Sequence, residues 1–193
     1  MSMVTATQSM TADEFFEWAN LPENDGTLYE LEAGRPTAMS SPGKQPGTIC
    51  WLVVKKLTEY LTIRGEGYIC TNDTGLIVTR SPDTVRGPDL MLFLEHTALD
   101  QITPKHAEDI PTLVVEVLSP RDSMGATLRR VEQYLALGVP LVWVVEPKVR
   151  AVQVYRPQEF PKVLDEMDEL SGNGILPEFR CSVSTFFTIP KRT

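Results

Sequence analysis

The chain has 193 residues, of which 42% are hydrophobic and 23% are charged, a composition typical of a folded protein with its own core. The formal net charge of −8 argues against broad electrostatic binding to nucleic acid, although divalent cations in an acidic cleft can bridge a protein to phosphate. No run of about 18 apolar residues is present, so we expect no signal peptide or membrane span and a soluble, cytoplasmic protein. We expect residues 1–10 to be flexible and residues 11–193 to form a single domain.

Residues that often bind transition metals are few and dispersed. Cys50, Cys70 and Cys181 lack the C-x-x-C spacing of zinc sites, and we expect them to be small buried side chains. The two histidines, His96 and His106, lie ten residues apart in a polar segment, and we expect them at the surface. The sequence therefore gives no indication of a zinc centre.

The first half of the chain is predicted to contain two helices and a hairpin. Thr11 and Glu14 have the spacing of a capping box and predict a short helix that ends at Ala19. Residues 28–39 predict a β-hairpin. Glu30 lies in its first arm, where a solvent-facing strand residue is the simplest interpretation. Residues 48–64 have helical apolar spacing, and residues 67–79 predict a strand region with a bend at 72–75.

The second half predicts buried strands around one more helix. Residues 85–94 form an apolar strand with Asp89 near its start, and residues 111–120 form another that contains Glu116. Ser119 is predicted to cap a helix over residues 120–137, with Leu128 among its inward side chains. Strands over 139–145 and 149–156 follow. This order of elements predicts an α/β or α+β fold, with a sheet flanked by helices.

Two carboxylates in two buried strands require an explanation. An isolated charge in an apolar setting is costly, so it must be neutralised, paired or bound to a metal. If the strands of Asp89 and Glu116 are neighbours, their oxygens and the carbonyl of the residue after Glu116 would suit Mg²⁺ or Mn²⁺. The alternative is a structural ion pair of Glu116 with Arg86, Arg129 or Arg130.

Several short motifs, in this order along the chain, resemble one known family. They are Tyr29-Glu-Leu-x-x-Gly34, Met39-Ser-x-Pro42, Pro88-Asp-Leu90, Leu113-Val-Val-Glu-Val-Leu-Ser-Pro120 and Trp143-Val-Val-Glu-Pro147. Together they resemble the Uma family, formerly a domain of unknown function, within the PD-(D/E)XK nuclease superfamily of restriction endonucleases. The resemblance covers residues 11–187 and implies a restriction-endonuclease-like core, a mixed β-sheet flanked by helices.

The resemblance also implies a site. It assigns Asp89 and Glu116 as ligands of Mg²⁺ or Mn²⁺ and Glu30 as a further acidic member. The superfamily places a lysine two residues after the second acid, and here that residue is Leu118. In the Uma family a lysine comes instead from the following helix, where this chain has Arg130, which keeps the charge but is not equivalent to lysine.

The function implied is a metal-dependent endonuclease that hydrolyses DNA phosphodiester bonds, with DNA as substrate and a homodimer as the expected assembly. The alternative is a catalytically weak or inactive member of the fold that acts as a nucleic-acid-binding or protein-binding oligomeric module. The arginine in place of lysine and the acidic net charge favour this alternative.

Overall fold

A computed structural model describes residues 9–41, 43–120 and 122–190. Most of the segment predicted to be flexible, residues 1–8, lies outside the described residues. Met10 is already fixed to the fold, because its N–H donates to the carbonyl oxygen of Gly34 at 2.9 Å.

The chain forms three α-helices and twelve strands within the described residues, and it confirms the predicted mixed α and β class. The helices are α1 (Ala12–Ala19), α2 (Lys44–Arg64) and α3 (Met124–Leu137). The strands are β1 (Tyr29–Glu32), β2 (Arg35–Ala38), β3 (Tyr68–Cys70), β4 (Leu76–Thr79), β5 (Thr84–Arg86), β6 (Leu90–Phe93), β7 (Leu113–Val117), β8 (Val142–Glu146), β9 (Ala151–Tyr155), β10 (Lys162–Leu164), β11 (Glu169–Ser171) and β12 (Arg180–Ser182).

The largest sheet is mixed and has six strands, in the order β10-β9-β8-β7-β6-β3. Its central strands β7 and β8 are parallel, and α3 provides the crossover connection that parallel neighbours need. A four-stranded sheet, β2-β1-β5-β4, and a two-stranded sheet, β11-β12, complete the fold.

Both faces of the large sheet are covered. On one face, Ile49, Val53 and Leu57 of α2 pack against a cluster that includes the fully buried Trp143. On the other face, Val131 and Tyr134 of α3 pack against alternate residues of β6, β7 and β8. This two-sided burial explains why β7 is an almost continuous apolar run, as predicted from the sequence.

Local signals predicted α1 and the first hairpin correctly. The Thr11 hydroxyl accepts the Glu14 N–H at 3.2 Å, while the Glu14 carboxylate accepts the Thr11 N–H at 2.8 Å. Strands β1 and β2 pair in antiparallel register from Tyr29 opposite Ala38 to Glu32 opposite Arg35.

The predicted start of α2 is wrong by four residues. The helix begins at Lys44 rather than residue 48, with Gly43 as its N-cap. Pro46 lies in the first turn, where a missing N–H costs no intrahelical hydrogen bond, so proline does not prevent an earlier start.

The predicted start of α3 is also wrong. Ser123, not Ser119, caps the helix, and its hydroxyl accepts the Ala126 N–H at 3.2 Å. The N–H of Ser119 instead donates to the Asp122 carboxylate at 2.6 Å, which holds a turn before the helix. Leu128 was predicted to face inward but is 38% exposed.

The predicted strand over residues 85–94 is two strands in two different sheets. The strand is interrupted between β5 and β6, at Gly87, Pro88 and Asp89. Because Pro88 has no N–H to donate to a neighbouring strand, the pairing of β5 ends at this point. Asp89 consequently lies in the connection between the two sheets.

The two histidines differ in burial. His96 is exposed, as predicted, whereas His106 is half-buried. The His106 ring lies 5.4 Å from the centroid of Phe15 and 5.3 Å from that of Phe16, on the aromatic face of α1. Burial lowers the pKa of His106.

Within the described ranges, none of the helices has both the length and the apolar character required to cross a bilayer.

Candidate active site

The four residues singled out in the sequence meet in one cleft. Glu30 comes from β1, Asp89 from the connection before β6, Glu116 from β7 and Arg130 from α3. The cleft has a volume of about 300 Å³ and lies where the two larger sheets diverge beside α3.

Strand register explains why Asp89 and Glu116 are neighbours. Leu90 of β6 lies opposite Val115 of β7, so each acid is adjacent to one member of this pair. The N–H of Val117 donates to Asp89 Oδ2 at 2.7 Å, where a further backbone hydrogen bond between the strands would otherwise form. Because side chains alternate along a strand, Glu116 faces the same side as Val114, which is the side covered by α3.

Arg130 connects three parts of the site. Its Nε donates to Glu116 Oε1 at 2.9 Å, and its Nη1 donates to Glu30 Oε1 at 2.6 Å. Its Nη2 donates to the Gly87 carbonyl at 3.1 Å. The side chain is only 18% exposed. The planar guanidinium thus uses all three nitrogens at once, which the single ammonium of lysine could not do.

Glu30 is buried and fully paired, so the interpretation of a solvent-facing strand residue is wrong. Its side chain is 9% exposed. Oε1 accepts the Gly87 N–H at 2.8 Å in addition to Arg130. Oε2 accepts Arg86 Nη1 at 3.1 Å.

Arg86 forms a second cationic position next to the first. It also contacts the Glu32 carboxylate, and its Nε donates to Gln133 Oε1 at 2.8 Å. Of the three arginines considered as partners of Glu116, Arg130 is the one that pairs with it. Arg86 pairs with Glu30 and Glu32, and Arg129 is exposed.

Glu116 is held through one oxygen. The Tyr134 hydroxyl donates to Oε1 at 2.6 Å, alongside Arg130. Burial raises the pKa of the Glu116 carboxyl, and the charge of Arg130 and the Tyr134 hydrogen bond oppose part of that rise. Oε2 accepts no hydrogen bond from the described residues, so one carboxylate oxygen remains available in the cleft.

The charge of the Asp89 carboxylate is less well compensated than that of Glu116. Burial, followed by the nearby Glu116 charge, raises the pKa of Asp89 to about 7. The Val117 N–H opposes part of the rise at Oδ2, whereas Oδ1 accepts no hydrogen bond from the described part of the chain. Two adjacent, partly desolvated carboxylates of this kind are stabilised by a bound cation.

Sequence reasoning missed Asp73, a further acid that lines the cleft. It lies in the β3–β4 connection, and burial raises its pKa. This connection packs closely on Gly87, where an added Cβ would lie 2.9 Å from the Asp73 carbonyl oxygen. The sequence signal here, Asn72-Asp73 in a predicted bend, indicates a turn but not its proximity to the site.

The donor set fits a hard divalent cation with few protein ligands. No group of three or more His, Cys, Asp and Glu side chains suited to a metal occurs in residues 9–41, 43–120 and 122–190. Asp89 and Glu116 offer two carboxylate oxygens, which suffices for Mg²⁺, because this ion is commonly held by one or two carboxylates and keeps several waters. Leu118, at the position of the superfamily lysine, lines the cleft without contributing charge.

The fold is that of a nuclease-like protein. The chain matches the Uma2 family model, described as "Putative restriction endonuclease", over residues 12–184, and it therefore belongs to that family. Its structure is similar to the crystal structure of "a putative nuclease belonging to DUF820" from Anabaena variabilis ATCC 29413. The TM-score is 0.75 with 20% sequence identity, and the match covers 92% of this chain and 97% of the other. No curated protein matches the chain.

Proposed function

We propose that this protein is a metal-dependent endonuclease that hydrolyses DNA phosphodiester bonds in the cleft described above. The observation that carries the proposal is the pair of adjacent carboxylates, the half-buried Asp89 and the buried Glu116, beside the guanidinium of Arg130. Membership of the Uma2 family supports a nuclease, and the metal requirement and the DNA substrate are our proposal.

Asp89 and Glu116 would hold Mg²⁺ or Mn²⁺ through the oxygens that the chain leaves free, together with the carbonyl of Val117. A bound divalent cation lowers the pKa of water and polarises a phosphoryl oxygen, which is the chemistry that phosphodiester hydrolysis requires.

Arg130 would contact the scissile phosphate or orient the attacking water. A guanidinium has five N–H donors, and three of them are used by Glu116, Glu30 and the Gly87 carbonyl. The remaining two can bind substrate oxygens without breaking these bonds. Glu30 would be a positioning residue, because both of its oxygens are already engaged in holding the two arginines and Gly87.

A plasmid-nicking assay in Mg²⁺ and in Mn²⁺ tests the proposal. We expect Glu116→Gln to lose nicking by roughly 100-fold or more, because it removes a ligand charge while keeping the shape and the Tyr134 contact. Glu132→Gln is the matched control, since Glu132 is an exposed acid on α3. Nicking by a folded Glu116→Gln variant at the wild-type rate would contradict the assignment.

A second function is favoured by one specific observation. Arg130 is committed to three partners inside the site, and the lysine position of the superfamily is occupied by Leu118. A catalytically weak member of the fold that binds nucleic acid or a protein partner as an oligomer would tolerate both features. The variant Arg130→Lys discriminates the two functions. If this variant nicks DNA and the wild type does not, the wild-type site is intact but catalytically inactive.

We propose a homodimer as the assembly, because two sites related by a two-fold axis can cut both strands of a duplex. We propose the cytoplasm as its location.

A further inference from the structure

One exposed face of α2 carries an aromatic side chain between two lysines. Lys44, Trp51 and Lys55 are spaced by seven and four residues, which places them along a single helix face. We refer to these three residues as the α2 stripe. At 1.5 Å per residue the stripe is about 16 Å long. Trp51 is 51% exposed, whereas the opposite face of the helix is buried in the core.

Positive charge is concentrated on this helix. The segment Lys44–Arg64 contains four basic residues and one acidic residue, although the whole chain has a net charge of −8. Lys44 forms no ion pair with the described residues. Lys55 lies 3.7 Å from Glu59, but the same carboxylate is closer to Lys56, at 2.7 Å. Lys44 is thus uncompensated, and Lys55 shares its acidic partner with Lys56.

The N-terminal end of α2, where the stripe begins, lies close in sequence to residues of the candidate active site. Ser40 and Ser41 line the cleft that contains Asp89 and Glu116 and precede α2, and Pro46 lines it from the first turn of the helix. A duplex that extends from the cleft past the N-terminal end of α2 would reach Lys44 first and Trp51 and Lys55 farther along the helix.

We propose that the α2 stripe is a docking surface for the phosphate backbone of duplex DNA that extends from the cleft. This inference rests on the proposed function. The two lysines contact phosphates, and Trp51 packs on the sugars between them. A second copy of this chain is a poorer occupant, because a two-fold contact would bring the lysines of both copies together, and juxtaposed like charges are unfavourable.

Binding of a fluorescently labelled duplex, measured by anisotropy in Ca²⁺ over a range of salt concentrations, tests the docking surface. We expect the double variant Lys44→Ala/Lys55→Ala to bind roughly tenfold more weakly. The slope of log K against log salt should fall by about 1.8 in magnitude, from the loss of two phosphate contacts. Trp51→Ala should weaken binding roughly fivefold without changing the slope.

Matched controls lie outside α2, in the β8–β9 turn, the β9–β10 connection and β10. Lys148→Ala/Lys162→Ala removes two exposed lysines, and Phe160→Ala removes an aromatic ring that is 99% exposed. We expect both controls to bind the duplex as the wild type does. If the stripe variants and the control variants weaken duplex binding equally, the effect is not specific to the stripe. That result would overturn the proposal of a docking surface on α2.

The remaining outcomes separate this inference from the proposed function. If the wild type binds the duplex and the stripe variants bind equally well, the docking surface is wrong and the proposed function stands. If Trp51→Ala converts a dimer into a monomer in sedimentation, the stripe is covered by a second copy, which also overturns the inference. If the wild type binds no duplex, the docking surface and the proposed DNA substrate fail together.

Discussion

The charges of the carboxylates on the two sides of the cleft are compensated differently. On the α3 side, Glu30 and Glu116 are paired with Arg86 and Arg130, and the Tyr134 hydroxyl adds a further hydrogen bond. On the β6 side, Asp89 receives a backbone N–H from Val117 but forms no ion pair with the described residues.

This difference indicates how the site is divided. A buried carboxylate with both oxygens occupied, such as Glu30, is fixed in place and has little capacity for a ligand. A partly desolvated carboxylate that lacks a cation, such as Asp89, has a raised pKa and is stabilised by any cation that enters. In the proposed function Glu30 therefore positions the site, whereas Asp89 and the free oxygen of Glu116 would face the metal.

The largest expected effect comes from breaking the compensated side. Arg130→Ala leaves Glu30 and Glu116 without the cation between them, and we expect a loss of about 3–5 kcal/mol in the free energy of unfolding. Urea denaturation at pH 8 measures the free energy of unfolding of the variant and the wild type. Arg129→Ala is the control, since that neighbouring arginine is exposed. A loss below about 1 kcal/mol for Arg130→Ala would show that the network does not compensate buried charge.

A smaller loss is expected from Tyr134→Phe, which removes one hydrogen bond from the same side. The Tyr134 hydroxyl is buried and lies 2.6 Å from Glu116 Oε1. Hydrogen bonds to charged groups contribute about 1.5–3 kcal/mol, so we expect a destabilisation in that range by urea denaturation. Tyr155→Phe is the matched control, because the Tyr155 hydroxyl donates to the neutral Gln153 amide, also at 2.6 Å. Equal losses in the two variants would indicate that Glu116 carries no charge at the assay pH.

The sequence predicted the parts of this site that depend on local signals. The apolar run of β7 identified Glu116 as a charge in a buried strand, and the capping box and hairpin pattern positioned α1 and Glu30 correctly along the chain. Grouping Glu30 with Asp89, Glu116 and Arg130 required the family resemblance, since the first and last of these are 100 residues apart.

Features set by long-range packing could not be predicted. The approach of Asp73 to the cleft depends on its close contact with Gly87, and the choice of Arg86 as partner of Glu30 joins residues 56 positions apart. The start of α2 at Lys44 was missed for a different reason: the polar first turn lacks the apolar spacing that identified the rest of the helix.

Removing the charge on the uncompensated side should stabilise the protein when no metal is present. Asp89 has a pKa of about 7 in the folded chain, above its usual 3.8. Between these values the unfolded chain releases the proton while the folded chain retains it. The stability that this group contributes is present in full below pH 3.8 and is lost as the pH rises through 7. At pH 8 the wild type therefore bears the full cost of an ionised, partly desolvated Asp89.

Asp89→Asn avoids this cost, and its amide oxygen can still accept the Val117 N–H. We expect the variant to be more stable than the wild type by about 1–3 kcal/mol at pH 8 in EDTA, with the difference declining toward pH 4. Millimolar Mn²⁺ should reverse the order, because a cation bound by the folded wild type adds a stabilisation that the variant lacks. Urea denaturation at both pH values, with and without Mn²⁺, measures both effects. A variant less stable than the wild type at pH 8 in EDTA would show that Asp89 is compensated in the folded protein, and that the two sides of the cleft do not differ as argued above.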